Sequence, residues 1–253
     1  MNVKELYAKF ADRIPEQLRE SWDNDGIMCC ADGSQDVGRV LVVLDVTEEI
    51  VDFAIASHFD LIVSHHPLIF KPLSAVTEDN HIARKIIKLL DNGVSVFSFH
   101  TRLDKVVGGV NDQLCEILGM YDTVPFGEGF LGRIGNVDER LELEDFVYKL
   151  KQSIGADMIR YSDAFNPVKR VAVVGGDGKS YVRDAIAAGA DTFVSGRIGY
   201  NMMAEAAELG INLIEAGHYY TEQPVTEFLR ELLCDFDPSI YVEVASSNVI
   251  KIL

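Results

Sequence analysis

RVLVVLDVTEEIVDFAIASHFDLIVSHHPLIF, residues 39–70, sets the architecture of this chain. RVLVVLD (39–45) is an unbroken apolar run rich in valine, as a strand buried on both faces requires. Thr47 followed by Glu48 and Glu49 supplies a cap and an acidic first turn for a helix running to about Ser57. LIVS (61–64) is the next strand. Strand, helix and strand within so few residues imply a parallel pair joined by a helical crossover. Two adjacent histidines then leave the second strand, and Pro67 prevents that strand from continuing.

The plan continues outward in both directions. A leucine-rich helix is expected over His81 to Asp91, ended by Gly93, and VSVFSF (94–99) is a third strand delivering His100. Residues 40–64 set against 171–195 without a gap agree at ten of twenty-five positions, among them Val42–Val43 with Val173–Val174, Ala54–Ile55–Ala56 with Ala185–Ile186–Ala187, and Asp60 with Asp191. Further on, the strand leading to His100 matches INLIEAG leading to His218, and a carboxylate follows each histidine four residues later, Asp104 and Glu222. The expected fold is therefore α/β, with two similar, duplicated lobes of mostly parallel sheets and a metal site in the cleft between them. The expected bounds are residues 1–122 for the first lobe, 123–166 for a connector with no inserted domain, and 167–253 for the second lobe, the lobes packing as one compact unit.

Composition narrows the partners. The 253 residues, 48% of them hydrophobic, supply ample core. A formal net charge of −17 repels phosphate backbones, so no nucleic-acid partner is expected, while divalent cations are easier to hold. No apolar run is long enough to span a bilayer, and Met1–Phe10 lacks the basic-then-apolar layout of a signal peptide. The four cysteines, Cys29, Cys30, Cys115 and Cys234, show no metal-binding doublets and are expected in the core. A reducing cytoplasmic setting follows as the expectation.

Strand ends in open α/β sheets collect functional side chains. His65, His66, His100 and His218 all fall there, two of them followed by carboxylates. Mixed imidazole and carboxylate ligation suits Zn, Fe, Mn or Co, and the number of groups exceeds what one catalytic ion takes, which points to two divalent transition-metal ions. Adjacent residues leaving a strand diverge, so His65 and His66 serve different ions. GGDGKS (175–180) is not a Walker loop, because Val173 stands where the first glycine belongs. No serine or cysteine has a nucleophile setting.

Taken together, SWDNDGI (21–27), VLVVLDVT (40–47), DLIVSHHPLIF (60–70), FHTRLDKVVGGVNDQL (99–114), VAVVGGDG (171–178), AGADTFVSG (189–196) and AGHYYTE (216–222) resemble the Nif-three-like dinuclear metal-centre family, whose members also carry the name of a second type of GTP cyclohydrolase I. The resemblance implies metal ligands at His65, His66, Asp104, His218 and Glu222, with Glu222 similar to a bridging carboxylate. His100 is implied as a further ligand or a partner of one. The resemblance also implies a homohexameric toroid, a trimer of dimers, with sites facing an inner cavity. SGRIGYNMM (195–203) departs from the family by placing Arg197, Gly199 and Asn201 where an acidic residue, a lysine and a histidine are common, and Met28–Cys29–Cys30 replaces its glutamine and glycine. Arg197 is a cavity candidate for a small anionic molecule, or else half of an ion pair with a neighbouring subunit. Two functions fit: a metal-dependent hydrolase of a small substrate, or a non-catalytic metal storage, delivery or sensing protein.

Overall fold

The computed structural model describes residues 1–252, apart from the side chains of 139 and 140. Its strands are β1 (Gly26–Cys29), β2 (Arg39–Val43), β3 (Leu61–Ser64), β4 (Ser95–Ser98), β5 (Tyr121–Phe126), β6 (Gly132–Leu141), β7 (Arg160–Ser162), β8 (Val168–Asp177), β9 (Thr192–Arg197), β10 (Asn212–Glu215) and β11 (Tyr241–Val244). They form a five-stranded sheet, β1-β4-β3-β2-β11, and a six-stranded sheet, β5-β6-β8-β9-β10-β7. The chain divides into one unit of Met1–Val106 with Val225–Val249 and a second built on Val107–Pro224.

In the first unit β2, β3, β4 and β11 run parallel, and β1 lies antiparallel on β4. One face packs Leu41, Val43, Ile62 and Val96 against Ile50, Val51, Ala54, Ile86 and Leu89, drawn from helices Glu48–Ala56 and His81–Asp91. Thr47 caps the former through the amide of Ile50, as the sequence leads one to expect. Helix Val3–Arg13 opens on a capping box between Asn2 and Glu5. Its Phe10 meets Phe97 of β4 and, from helix Val225–Phe236, Phe236. With helices on both faces, alternation disappears from these strands and they read as continuous apolar runs.

In the second unit β8, β9 and β10 are parallel, while β5, β6 and β7 add three antiparallel pairings, so this sheet is mixed. Val171 and Val173 face helices Val110–Ile117 and Leu143–Ser153, whereas Ala172 and Val174 face Val182, Ala185 and Ala206.

The duplication is present in the hydrogen-bond register. Val40 pairs with Leu61 and Val171 with Thr192, the partners that the ungapped alignment demands. A shared clamp explains the matched aspartates. Asp60 accepts the amides of Gly38 and Arg39, and Asp191 accepts those of Lys169 and Arg170. Each copy also carries an antiparallel edge strand, β1 on β4 and β7 on β10.

The bounds differ from the expected ones in a physically intelligible way. Leu114 and Cys115 pack in the same core as Val171 and Val173, which assigns helix Val110–Ile117 to the second unit. Residues 121–162 do more than connect: beside the helix Leu143–Ser153, which the sequence leads one to expect over about Leu141 to Ser153, they supply the strands β5, β6 and β7. β11 returns to pair with β2, so the chain's last strand belongs to the first sheet.

No helix among the described residues is long and apolar enough to cross a membrane. Burial pushes the thiols of Cys29 and Cys115 up to about 12, helped by the neighbouring Cys30 in one case and Asp112 in the other. Because only the thiolate reacts, Cys29 and Cys115 are expected to resist iodoacetamide in the folded protein at pH 8 and to alkylate once guanidinium unfolds it. Peptide mass mapping of the two samples decides; rapid native alkylation of either would show that its burial is wrong.

Candidate metal centre

His65 and His66 leave β3 while the chain still follows β2: their amides donate to the carbonyls of Val43 (3.3 Å) and Leu44 (2.9 Å). Ser64 fixes the exit, its hydroxyl 2.9 Å from the His66 carbonyl and 2.8 Å from the Ser98 hydroxyl. Pro67 then turns the chain away.

His65, His66 and His100 are each oriented through Nδ1. His65, fully buried, has Nδ1 3.0 Å from the carbonyl oxygen of Phe99. A carbonyl only accepts, so Nδ1 carries the proton and Nε2 presents a lone pair. His66 Nδ1 lies 2.7 Å from Asp45 Oδ1. Asp45 is itself held by Ser247, whose hydroxyl accepts the Asp45 amide at 3.0 Å. His100 Nδ1 lies 2.8 Å from Asp23 Oδ1, and Asp23 Oδ2 accepts from the Thr101 amide (3.0 Å) and hydroxyl (2.7 Å). Burial opposes charge on Asp23, but the hydrogen bonds from His100 and Thr101 outweigh it and hold the carboxyl down at about 2. Burial likewise opposes charge on His100, yet its bond to Asp23 and the nearby Asp104 raise its pKa.

The three rings converge. Their centroids are 4.9 Å apart for His65 and His66, 5.4 Å for His65 and His100, and 5.8 Å for His66 and His100. One nitrogen from each lies within 4.8 Å of the others. Asp104, on helix Thr101–Lys105, has Oδ1 3.6 Å from His65 Nε2.

In the second unit, helix His218–Glu222 puts its two end residues on one face, with His218 Nε2 3.0 Å from Glu222 Oε2. Glu222 is buried. The glycines of β8 make room for it: Gly176 sits at φ +65°, and a Cβ there would overlap Glu222 Oε1. The paired Gly175 and Gly176 of GGDGKS are thus a floor for a carboxylate, and a Cβ at Gly178 would overlap the Ser195 side chain, so these glycines are accounted for without any nucleotide.

Strand register relates the two units residue by residue. Ser98 occupies the place of Glu215, since they pair with Ser64 and Ser195. His100 therefore corresponds to Gly217, and His218 to Thr101, one position off the match drawn from the sequence. Gly196 and Arg197 stand where the first unit has His65 and His66. A Cβ at Gly196 would come 2.6 Å from the Gly176 carbonyl oxygen and 2.7 Å from His218 Cα, so the space of the first unit's histidine is taken here by helix His218–Glu222. Arg197 is 71% exposed and reaches Asp177 of its own chain at 3.5 Å, a surface pair of little energetic weight.

Sequence reasoning missed Asp45, Asp23 and Ser247. Asp45 ends the first strand run and Asp23 lies in SWDND, but only the fold brings them to their histidines. The donor set of the first unit fits a transition-metal ion: imidazoles with their Nδ1 protons engaged by oxygen acceptors are in the tautomer and orientation that ligation through Nε2 needs.

Known proteins place this chain. A curated Clostridium perfringens protein named GTP cyclohydrolase 1 type 2 homolog is 34% identical over 232 residues, covering 89% of this chain and 88% of the relative. A Staphylococcus aureus hypothetical protein of solved structure superposes with a TM-score of 0.89 at 26% identity, over 100% of this chain and 99% of its own. A Bacillus cereus protein related to NIF3 shares the fold, with a TM-score of 0.88 at 24% identity, over 100% of this chain and 99% of its own. The family model described as Duf34/NIF3 (NGG1p interacting factor 3) matches residues 1–251, and the chain belongs to that family.

Proposed function

We propose that this chain binds two divalent transition-metal ions, drawn from Zn, Fe, Mn and Co, through His65, His66, Asp104, His218 and Glu222, and that it is a metal-dependent hydrolase of a small anionic substrate. The observation that carries the reading is the cluster of three imidazoles, each fixed through Nδ1, with Asp104 beside it. When bound, such ions lower the pKa of a water and polarise the bond it attacks. The chain's own residues do the rest. Phe99 and Asp45 hold His65 and His66 in the ligating tautomer, and Asp23 fixes the ring of His100 as a further ligand or hydrogen-bonding neighbour. The family resemblance supports a homohexameric assembly and the place of Glu222 as a bridging carboxylate. The acidity of the chain argues against nucleic acid, and four cysteines outside any disulfide suit a reducing cytoplasm.

Metal storage, delivery or sensing is the second reading, favoured by a specific observation. Opening a guanine ring needs groups that bind the base and shuttle protons, and Gly199 and Asn201 offer neither acid nor base at neutral pH. The metal-loaded protein is therefore expected to show little or no ring opening of GTP, and weak hydrolysis within a panel of phosphoesters, amides and cyclic substrates that disappears in His65→Ala. Robust formation of the ring-opened product would refute the first expectation. Inertness across the panel with ready loss of ions to a chelator would select the second reading.

A further inference from the structure

Beside the imidazole cluster stand two large side chains that the fold leaves in the open. Trp22 is 61% exposed and Phe70 is 44% exposed. Single exposed rings are ordinary, but these touch each other and the cluster. Trp22 and Phe70 meet with centroids 6.3 Å apart at 70°, Trp22 and His100 at 6.2 Å and 80°, and Phe70 and His100 at 6.0 Å and 89°. Three nearly perpendicular rings make a corner in which every contact is edge to face, and the exposure of Trp22 and Phe70 leaves ring surface there open to solvent.

The corner is also held in place. Asp23 is bound to His100 and Thr101, the Glu20 amide donates to the Thr101 hydroxyl at 3.0 Å, and the Asn24 side-chain amide donates to the Ile69 carbonyl. Those bonds pin the backbone on both sides of Trp22 and tie its loop to the one carrying Phe70. A surface ring on a tethered loop loses little freedom when a guest lands on it.

We propose that Trp22 and Phe70 form a shelf that takes the planar aromatic ring of a small-molecule substrate, whose anionic substituent reaches toward His65, His66 and His100. The proposal rests on the metal reading above for the substituent, but not for the ring. An ammonium guest, the other common occupant of aromatic corners, is the wrong partner beside groups that hold divalent cations. An aliphatic guest gains no benefit from perpendicular ring faces beyond its area, whereas a planar ring stacks on one wall while presenting its edge to another.

The test uses naphthoate and its saturated counterpart decahydronaphthoate, which share a carboxylate and a carbon skeleton but differ in aromaticity. Calorimetry on the full chain is expected to give on the order of tenfold tighter binding of naphthoate, and that preference should fall in both Trp22→Leu and Phe70→Leu. Trp22 is the chain's one tryptophan, so fluorotryptophan labelling gives a single fluorine resonance, expected to move on naphthoate binding through the short-range ring current. Equal affinities, a resonance unmoved at saturating naphthoate, or a preference surviving in both variants would overturn the shelf. So would a Trp22→Leu protein whose subunit number changes by light scattering while its preference persists, because the corner would then be a contact between copies. Metal content measured on each sample separates the two readings: a metal-loaded protein blind to the ring sinks the shelf alone, and a protein that takes up no metal yet moves its resonance sinks the metal reading alone.

Discussion

Glu222→Ala protein, purified from cells without added metal, is expected to lose metal from both positions, whereas His66→Ala is expected to lose chiefly one. Glu222 is a buried carboxylate seated on a glycine floor that tolerates no Cβ at Gly176. A carboxylate with two oxygens is the group that can touch two ions at once, and alanine leaves nothing there to do so. His66 offers one nitrogen. Its loss removes one bond, and the other ligands remain oriented by Phe99 and Asp23. A graded control follows from the same geometry: Asp45→Ala keeps every proposed ligand but frees the ring of His66, and losses of this kind lower metal affinity about 10–100-fold. Plasma emission spectrometry of the three variants reads the metal-to-chain ratio directly. Unchanged metal in Glu222→Ala would remove Glu222 from the site, and loss limited to one ion would remove its bridging role.

The elements that could be read from sequence are those whose determinants are local. Thr47, Glu48 and Glu49 announce a helix start, and the apolar runs of β2 and β3 announce buried strands, because capping and burial act within a few residues. The repeat could be read because strand register preserves it, down to the Asp60 and Asp191 clamps. β11 escaped notice because YVEV is short, half-exposed and charged, and its pairing with β2 joins distant parts of the chain. The strands β5 to β7 were hidden in a stretch with scattered glycines and a proline, where alternation is weak. Among site residues the histidines stood out by position at strand ends. The carboxylates that aim them did not, since a hydrogen bond from His100 to Asp23 leaves no periodic mark on the sequence.

The second large effect concerns a residue that touches no proposed ligand directly. Arg102 is completely buried on helix Thr101–Lys105, between His100 and Asp104 in the chain. Its Nε donates to Asp25 Oδ2 at 2.9 Å, its Nη1 donates to the Ile14 carbonyl at 3.0 Å, and its guanidinium lies 5.0 Å from the centre of the Phe99 ring. Arg102→Ala leaves Asp25 buried without its main counter-charge; Arg19, 3.6 Å away and 40% exposed, compensates only in part. Removing one partner of a buried ion pair costs about 3–5 kcal/mol, far more than the pair's net worth. Burial already pushes the Asp25 carboxyl above its ordinary value of 3.8, with Arg102 opposing. For an acid whose folded pKa is raised, the folded state holds the proton more firmly than the unfolded chain, so its contribution is complete below the unfolded value and is lost as pH rises through the folded one. Without Arg102 that folded value climbs further. Arg102→Ala is therefore expected to be strongly destabilised at pH 7 and to recover part of the deficit as the pH falls toward 5, while replacing both residues, Arg102→Met with Asp25→Asn, restores stability at pH 7. Urea denaturation at the two pH values measures this, and metal uptake should fall with stability because the same helix carries Asp104. An Arg102→Ala midpoint equal to that of the unaltered protein, or a deficit that deepens on acidification, would show that the pair does not anchor this helix.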